Sequence, residues 1–341
     1  MSGAGASVPK PPCPAIDDVT PWLFRRTLDA ALSATGGILL LVALVHLLPG
    51  DPLAAVLRDH PADPATVAAL QERWGTDLSL GQTMVRFVGG ALRGDLGISL
   101  SAGLPVTTLL AERLGPTLLL GGLTLLINFT VGLALGLWSA LRPATLRAHL
   151  LGGLTLAGYA LPSFVLGLIL VWVFALQLGW LPPAGYSDPL LAPDAGLGAH
   201  LLDRLRHLAL PLATMVLATI AVPIRHQRAA VAETLDAPWV LAARARGVAP
   251  ARLAWHHIWR PALTPIVTLL GLWLPALVAG AVFVEAVFAW PGLGTLIADA
   301  TANRDVPVVI GAGAVLIIAV QCGSLIADLL YRLVDPAQRR S

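Results

Sequence analysis

The sequence comprises 341 residues, of which 56% are hydrophobic and only 12% are charged, and its mean hydropathy is +0.77. A charged fraction about half that of a soluble domain indicates a membrane protein. The formal net charge of +2 is too small to indicate a nucleic-acid partner. Cys13, in a proline-rich tail, and Cys322, in an apolar run, predict no disulfide framework.

In chain order, six apolar runs are long enough to cross the hydrocarbon core of a bilayer, which needs about 20 helical residues. We predict membrane spans at 27–48, 116–141, 149–176, 207–224, 262–283 and 307–330. The remaining segments are predicted to be tails at 1–26 and 331–341, a long outer loop at 49–115, and a loop at 225–261 within the transmembrane core 116–330. The predicted fold class is therefore an all-α, polytopic membrane protein with six transmembrane helices.

The distribution of arginine predicts the orientation, because basic residues near span ends remain on the cytoplasmic side. The 225–261 loop carries many arginines against two acidic residues, Glu233 and Asp236. Its arginines are Arg225, Arg228, Arg244, Arg246, Arg252 and Arg260. Arg25 and Arg26 precede the first span, and further arginines follow the last one. We therefore expect this loop and both termini to face the cytoplasm.

Known catalytic patterns are missing from the sequence. Neither a G-x-S-x-G string nor an H-E-x-x-H string occurs. A Walker A motif needs a lysine to reach the phosphates of ATP, and the only lysine is Lys10 in the tail. His256 and His257 are adjacent, so on a helix they point about 100° apart and are poor metal co-ligands. We predict a non-catalytic chain with no metal site and no bound cofactor.

Ionisable or amide side chains inside the spans are scarce, which weighs against a secondary transporter driven by an ion gradient. The candidates are His46, Asn128, Glu285 and Asp328. Asn128 alone falls near mid-membrane, whereas the other three are expected near span ends, where they can reach water. A hydrogen bond to a neighbouring helix and a contact with substrate are the two interpretations of Asn128, and the first is favoured.

The stretch "DAPWVLAARARGVAPARLAWHHIW", residues 236–259, predicts two short helices joined at a glycine. Asp236 is the predicted N-cap and Pro238 falls in the first turn, while Gly247 is expected to end the first helix. Such a pair of helices is either an amphipathic hairpin lying among lipid headgroups or a docking surface for another protein.

The residues of this stretch favour docking through a resemblance. Glu233, "AARARG" and "HHIWRPALTP" resemble the coupling loop of permease subunits of bacterial ABC importers, in which Glu233, Gly247 and Pro265 stand at matching positions. The sequence departs from that pattern where "ETL" replaces the Glu-Ala-Ala triplet. The resemblance implies a contact with ATPase subunits through Glu233, Asp236, Trp239, Ala243, Arg244, Gly247 and Pro265.

Six further motifs occur in order along the chain. They are "HLLPGDP", "LRGDLGIS", "LPSFVLGLIL", "LGWLPPAGY", "EAVFAWPGLGTLIADA" and "DLLYRLVDP". All are similar to the first permease subunit of dipeptide, oligopeptide and nickel importers, and the resemblance covers nearly the whole chain from Trp22 onward. It implies a type I ABC importer permease in the bacterial inner membrane, surrounded by lipid.

The same resemblance implies the partners and the substrate class. The partners would be a homologous second permease subunit, two ABC ATPase subunits that hold ATP and Mg, and a substrate-binding protein. Peptides are the preferred substrate, and nickel chelates, glutathione and opines are the alternatives within the family.

Several prolines and glycines are candidates for a pore or gate. Pro291, Gly292 and Gly294 are expected to permit tight turns, either in a re-entrant loop near the outer mouth or in an ordinary surface turn. Pro275 could act as a hinge within a span, although simple packing is the favoured interpretation. The candidate pore or gate residues are Asn128, Pro275, Glu285, Pro291, Gly292 and Gly294.

Overall fold

The computed structural model describes residues 19–47, 78–263, 266, 273 and 281–334. These residues form helices joined by turns and loops, with one isolated bridge between Ile98 and Pro105. The helices are α1 (Val19–Leu47), α2 (Leu80–Ala91), α3 (Val106–Leu141), α4 (Leu146–Ala160), α5 (Ser163–Gln177), α6 (Gly196–Thr219), α7 (Ala221–Leu235), α8 (Pro238–Ala245), α9 (250–262), α10 (281–287), α11 (Leu293–Ala302) and α12 (Val306–Val334).

The described helices confirm the all-α membrane fold. Helices α1, α3 and α12 are each long and apolar enough to cross a membrane. Two further spans are present if each bent pair counts as one, namely α4 with α5, bent by 108°, and α6 with α7, bent by 40°. Most of the predicted span at 262–283 lies outside the described residues.

Three helices extend beyond the apolar runs that predicted them. Helix α3 contains 36 residues, about 54 Å at 1.5 Å per residue, and begins at Val106 rather than near Pro116. Helix α6 begins at Gly196 rather than at His207, and α7 continues to Leu235 through the first part of the predicted 225–261 loop. Charged residues such as Glu and Arg end an apolar run without ending a helix, because both are good helix formers.

Helices α4 and α5 meet at a sharp bend where a single straight span is predicted. Leu161, between them, has an extended backbone (φ −82°, ψ 136°). It precedes Pro162, and a proline disfavours a helical conformation in the residue before it. Near the end of α4, a Cβ on Gly158 would lie 2.8 Å from the carbonyl oxygen of Leu217 in α6. The bend therefore places the end of α4 in close contact with α6.

Helices α1 and α12 pack against each other in antiparallel directions. Arg26, near the start of α1, donates from Nη2 to Asp328 Oδ1, near the end of α12, at 3.3 Å. Farther along, a Cβ on Gly313 would overlap the side chain of Leu41, so the glycine permits close approach of the two helices. The start of α1 and the end of α12 consequently lie at the same end of the molecule.

Helix α3 connects two packed regions at opposite ends of the molecule. Near its start, Val106 is buried with Val308 of α12. Near its end, Ala140 is buried with Val231 of α7 and Val240 of α8. We call the region that contains residues 236–262 the elbow end, and the region that contains residues 99–106 and 285–308 the far end.

At the far end, a buried carboxylate ties a loop to the last helix. Asp305 Oδ2 accepts hydrogen bonds from Ser99 Oγ at 2.5 Å, Ser101 N at 3.0 Å and Ser101 Oγ at 2.7 Å. Its other oxygen lies 3.4 Å from the backbone nitrogen of Val308, in the first turn of α12. The "LRGDLGIS" motif, which ends in Ser99, therefore fixes the loop before α3 against the start of α12.

Candidate functional site

The segment 236–262, which we call the elbow, consists of α8 and α9 packed against the end of α7. Asp236 is the residue that ends α7 (φ −90°, ψ 0°), and Ala237 is the N-cap of α8, with an extended backbone (φ −69°, ψ 140°) and no side-chain capping bond. Ala237 is extended because it precedes Pro238. The predicted capping role of Asp236 is therefore wrong, whereas the predicted position of Pro238 in the first turn is confirmed.

Gly247 ends α8 in the left-handed conformation, with φ 73°. Its N–H donates to the carbonyl of Arg244 at 2.9 Å, and the N–H of Val248 donates to the carbonyl of Ala243 at 3.2 Å. This pair of bonds is the Schellman motif that closes many helices. A Cβ on Gly247 would meet no atom within 4 Å, so the backbone conformation and not packing requires glycine here. The predicted helix-ending role of Gly247 is confirmed.

One face of the elbow is buried in the protein. Its apolar side chains pack against Ala140 of α3 and Val231 of α7. The buried elbow residues are Ala237, Val240, Ala243, Leu253, Ile258 and Ala262. Ala243, one of the residues proposed for the partner contact, belongs to this buried face. The elbow is thereby held against the ends of α3 and α7.

The opposite face of the elbow is exposed and combines aromatic and charged side chains. Trp239 is 54% exposed and Trp255 is 59% exposed, and the ring of Trp255 lies 4.8 Å from that of Trp259. Of the residues proposed for the partner contact, Glu233, Asp236, Trp239, Arg244 and Gly247 are exposed. Pro265 lies outside the described residues. Exposed Trp and Arg side chains are the types most enriched at the centres of protein interfaces.

At the far end, Glu285 in α10 is fully buried. Its Oε1 accepts from the hydroxyl of Thr117 in α3 at 2.7 Å, and its Oε2 accepts from the backbone N–H groups of Gly294 at 2.6 Å and Thr295 at 3.3 Å. These N–H groups lie in the first turn of α11, where a carboxylate is favoured by the helix dipole. The expectation that Glu285 reaches water is wrong, because this side chain caps α11 and links it to α3.

The glycines of "AWPGLG" provide space for that carboxylate. A Cβ on Gly292 would overlap the Glu285 carboxylate, and a Cβ on Gly294 would lie 2.7 Å from its Oε2. Neither glycine has a positive φ, and both are buried, whereas Ala289 has a φ of 47°. The two glycines are therefore required for space and not for a left-handed backbone. The N–H of Gly292 donates to the carbonyl of Trp290 at 2.7 Å, so the chain turns tightly before α11, and the choice between a re-entrant loop and a surface turn stays a prediction. Pro291 is half-buried just before α11.

Asn128 lies in a π-helical turn of α3, Asn128–Gly132, and is fully buried. Its Nδ2 donates to Thr219 Oγ1 of α6 at 2.8 Å. This is the hydrogen bond to a neighbouring helix that the sequence favours over a contact with substrate. Among the described residues, Asn128 Oδ1 and both amide atoms of the buried Gln227 in α7 have no hydrogen-bond partner. Pro275, the other mid-span candidate, lies outside the described residues.

Two polar residues that organise the far end are missed by the sequence analysis. Thr117 follows Pro116 at the start of an apolar run and carries no local signal for its bond to Glu285. Asp305 does carry a signal, because an acidic residue followed by Val306 and Pro307 is a typical helix start with an N-cap.

Comparison with known proteins gives one family and several relatives of nearly full length. The family model for the binding-protein-dependent transport system inner membrane component matches residues 132–340. The di/tripeptide transport system permease protein DppB of Pseudomonas aeruginosa is 36% identical over 89% of this chain and 94% of its own length. The oligopeptide transport system permease protein AppB of Bacillus subtilis is 32% identical, over 92% of this chain and 98% of its own length.

The dipeptide transport system permease protein DppB of Escherichia coli K12 is 31% identical, over 93% of this chain and 98% of its own length. Among solved structures, a chain from the inward-facing MetNI methionine ABC transporter aligns with 67% of this chain and 96% of its own length, with a TM-score of 0.48 and 19% identity.

Proposed function

Because the chain belongs to the family of binding-protein-dependent transport system inner membrane components, we propose that it is a permease subunit of an ATP-driven importer of peptides. It forms one half of the translocation pore in the bacterial inner membrane. Relatives from three different bacteria are named as dipeptide, tripeptide or oligopeptide permeases, which favours peptides over nickel chelates, glutathione and opines as substrates.

The observation that carries this proposal is the division of the elbow into a buried apolar face and an exposed face. A hairpin that lies among lipid headgroups inserts its apolar face into the bilayer. Here that face, with Val240, Ala243 and Ile258, is already buried against α3 and α7. The exposed face carries Trp239, Leu241 and Trp255 among charged residues, a mixture that suits docking to a protein.

The docking partners are two ABC ATPase subunits, which bind ATP and Mg and carry out hydrolysis. This chain contributes no catalytic step. Closure of the ATPases around nucleotide displaces the elbow, and packing of Ala140 and Val231 against the elbow transmits the displacement to α3 and α7. Nucleotide can bias two arrangements of the helices only if the ATPases contact the elbow differently in each.

We infer the orientation from the arginines near the two chain termini and the elbow. The elbow end faces the cytoplasm, where the ATPases are, and the start of α1 and the end of α12 lie at one end of the molecule, joined by Arg26 and Asp328. We place that end in the cytoplasm with the elbow, in accordance with the arginines that flank it. The far end then faces outward, toward the substrate-binding protein.

Two further parts complete the proposed assembly. A homologous second permease subunit supplies the other half of the pore, and membrane lipid covers the exposed apolar helix faces.

A secondary transporter, which is the alternative class of protein, requires a buried chain of ionisable side chains that relays ions. Of the groups considered for such a relay, Glu285 is occupied in capping α11, which favours the ATP-driven importer.

Co-purification tests the proposal. The tagged chain, expressed with the genes beside it and extracted in mild detergent, should recover two ATPase subunits. Trp239→Ala should weaken their affinity roughly thirtyfold and so lower their recovery, because losing a tryptophan that anchors an interface costs about 2 kcal/mol. Trp180→Ala is the matched control, since Trp180 is similarly exposed (65%) but lies outside the elbow. Absence of ATPases from the wild-type eluate would contradict the proposed function.

A further inference from the structure

An open pocket of about 390 Å³, which we call the cavity, lies between the end of α4 and the first half of α7. It is bordered by the two places where spans are broken, the 108° bend after Ala160 and the 40° bend at Ile220. Its lining residues are Tyr159, Ala221, Val222, Arg225, His226 and Ala229. Its volume falls within the range of about 300 to 1,000 Å³ that is typical of small-molecule sites.

The polar side chains that line the cavity can all donate hydrogen bonds, and one of them is an arginine. Arg225 carries a guanidinium group, and Tyr159 and His226 can donate hydrogen bonds. Within the described part of the chain, none of the three side chains has a hydrogen-bond or ion-pair partner, and no carboxylate lines the cavity. Arg225 and His226 are both exposed, so a ligand in the cavity can reach their polar groups. The cavity is therefore suited to an anionic group.

The remaining lining residues of the cavity leave room for a ligand without favouring any particular ligand side chain. Ala221, Val222 and Ala229 are small and apolar, so they leave room and offer no hydrogen bonds. A chain that carries peptides of different sequence needs to recognise what all peptides share, and the C-terminal carboxylate is the one shared anionic group. The fork of an arginine guanidinium matches a carboxylate in two parallel hydrogen bonds.

We propose that this cavity binds the C-terminal carboxylate of the transported peptide, with Arg225 as the principal contact and Tyr159 and His226 as supporting donors. The inference rests on the proposed function for the identity of the ligand. The same oxyanion chemistry would also suit the phosphate of a lipid headgroup, and the experiment separates the two sources.

The experiment measures protection of a cysteine in the cavity. Ala229→Cys is introduced into the full chain with Cys13→Ser and Cys322→Ser, and the transporter with its partner subunits is reconstituted into phosphatidylcholine vesicles. The rate of reaction with N-ethylmaleimide is measured with saturating trialanine or with trialanine amide. Trialanine should slow labelling by roughly tenfold, whereas the amide, which lacks the carboxylate, should slow it by less than about twofold.

Variants of two arginines on α7 test whether Arg225 is the residue that binds the carboxylate. Arg225→Gln should abolish protection by trialanine. Arg228→Gln, which changes an arginine of the same helix that does not line the cavity, should leave protection intact. The comparison of trialanine with its amide needs no change at Arg225, so it remains decisive if Arg225→Gln fails to assemble. Equal protection by the two peptides, or protection by neither, overturns the inference.

Two further measurements distinguish a lipid ligand from a peptide, and failure of the carboxylate site from failure of the proposed function. If labelling is slowed by adding phosphatidylglycerol to the vesicles, and trialanine has no effect, the site holds a lipid phosphate and the inference is overturned. Peptide uptake by the wild-type transporter is measured in parallel. Failure of uptake refutes the proposed function, whereas normal uptake without protection refutes only the carboxylate site.

Discussion

The Glu285 carboxylate joins three parts of the chain at the far end. It contacts Thr117 of α3 and the backbone of α11, while Trp290 donates from its indole nitrogen to the carbonyl of Pro116 at 3.1 Å. A buried carboxylate is tolerated when its oxygens are hydrogen-bonded, and here three donors reach it. Gly294 permits this arrangement, because a side chain there would overlap the backbone of Val282 in α10 and approach the carboxylate.

At the scale of a residue, Gly294→Ala should destabilise the protein. The added Cβ would overlap the Cα of Val282 in α10 and would lie 2.7 Å from Glu285 Oε2, and such overpacking typically costs about 1 to 3 kcal/mol. A lower midpoint of thermal unfolding in detergent, followed by fluorescence-detected gel filtration, is the expected result. Gly122→Ala in α3 is the control, because a Cβ there meets no atom within 4 Å. Equal midpoints for the two variants would contradict the proposed role of Gly294.

The elbow consists of two short helices that are joined at one glycine and held by one apolar face. The Schellman bonds of Gly247 and Val248 set the direction in which the chain leaves α8. The buried face then fixes the position of α8 and α9 against α3 and α7. A change that disturbs only the glycine should therefore alter the elbow without affecting the spans.

We expect Gly247→Val to reduce peptide uptake and the ATP hydrolysis stimulated by the binding protein, while insertion into the membrane stays normal. A β-branched residue at φ 73° is strained, at a cost of about 1 to 2 kcal/mol. Gly247→Asn is the matched control, since asparagine has a similar volume but adopts the left-handed conformation more readily. Asn should retain more activity than Val; equal loss in both would assign the effect to bulk at the docking surface instead of backbone conformation.

The elements that could be predicted are those whose start or end is set by residues adjacent in the sequence. Pro238 and Gly247 mark the start and end of α8 by local chemistry, and the sequence identifies both. The Glu285 site could not be predicted in this way, because Thr117 lies 168 residues away from it in the chain. The bend at Pro162 carries a local signal, but the long apolar run around it favours a single straight span.

At the scale of the whole molecule, two differently built ends are joined by long helices. The far end is held by buried carboxylates, Glu285 and Asp305, that tie loops and helix starts together. The elbow end is held by apolar packing beneath an exposed face of tryptophan and charged residues. Helix α3, with 36 residues, reaches from one end to the other. This arrangement suits a subunit that receives a displacement at one end and changes access at the other.

We propose that ATP, and not an ion gradient, drives peptide movement through this subunit. The most direct measurement is uptake of labelled trialanine by vesicles that contain the chain with its partner permease and two ATPase subunits, with ATP on the elbow side and the binding protein on the far side. Uptake should require both ATP and the binding protein, and should persist when ionophores collapse proton and sodium gradients. Uptake by the chain alone, driven by such a gradient and indifferent to ATP, would contradict the account.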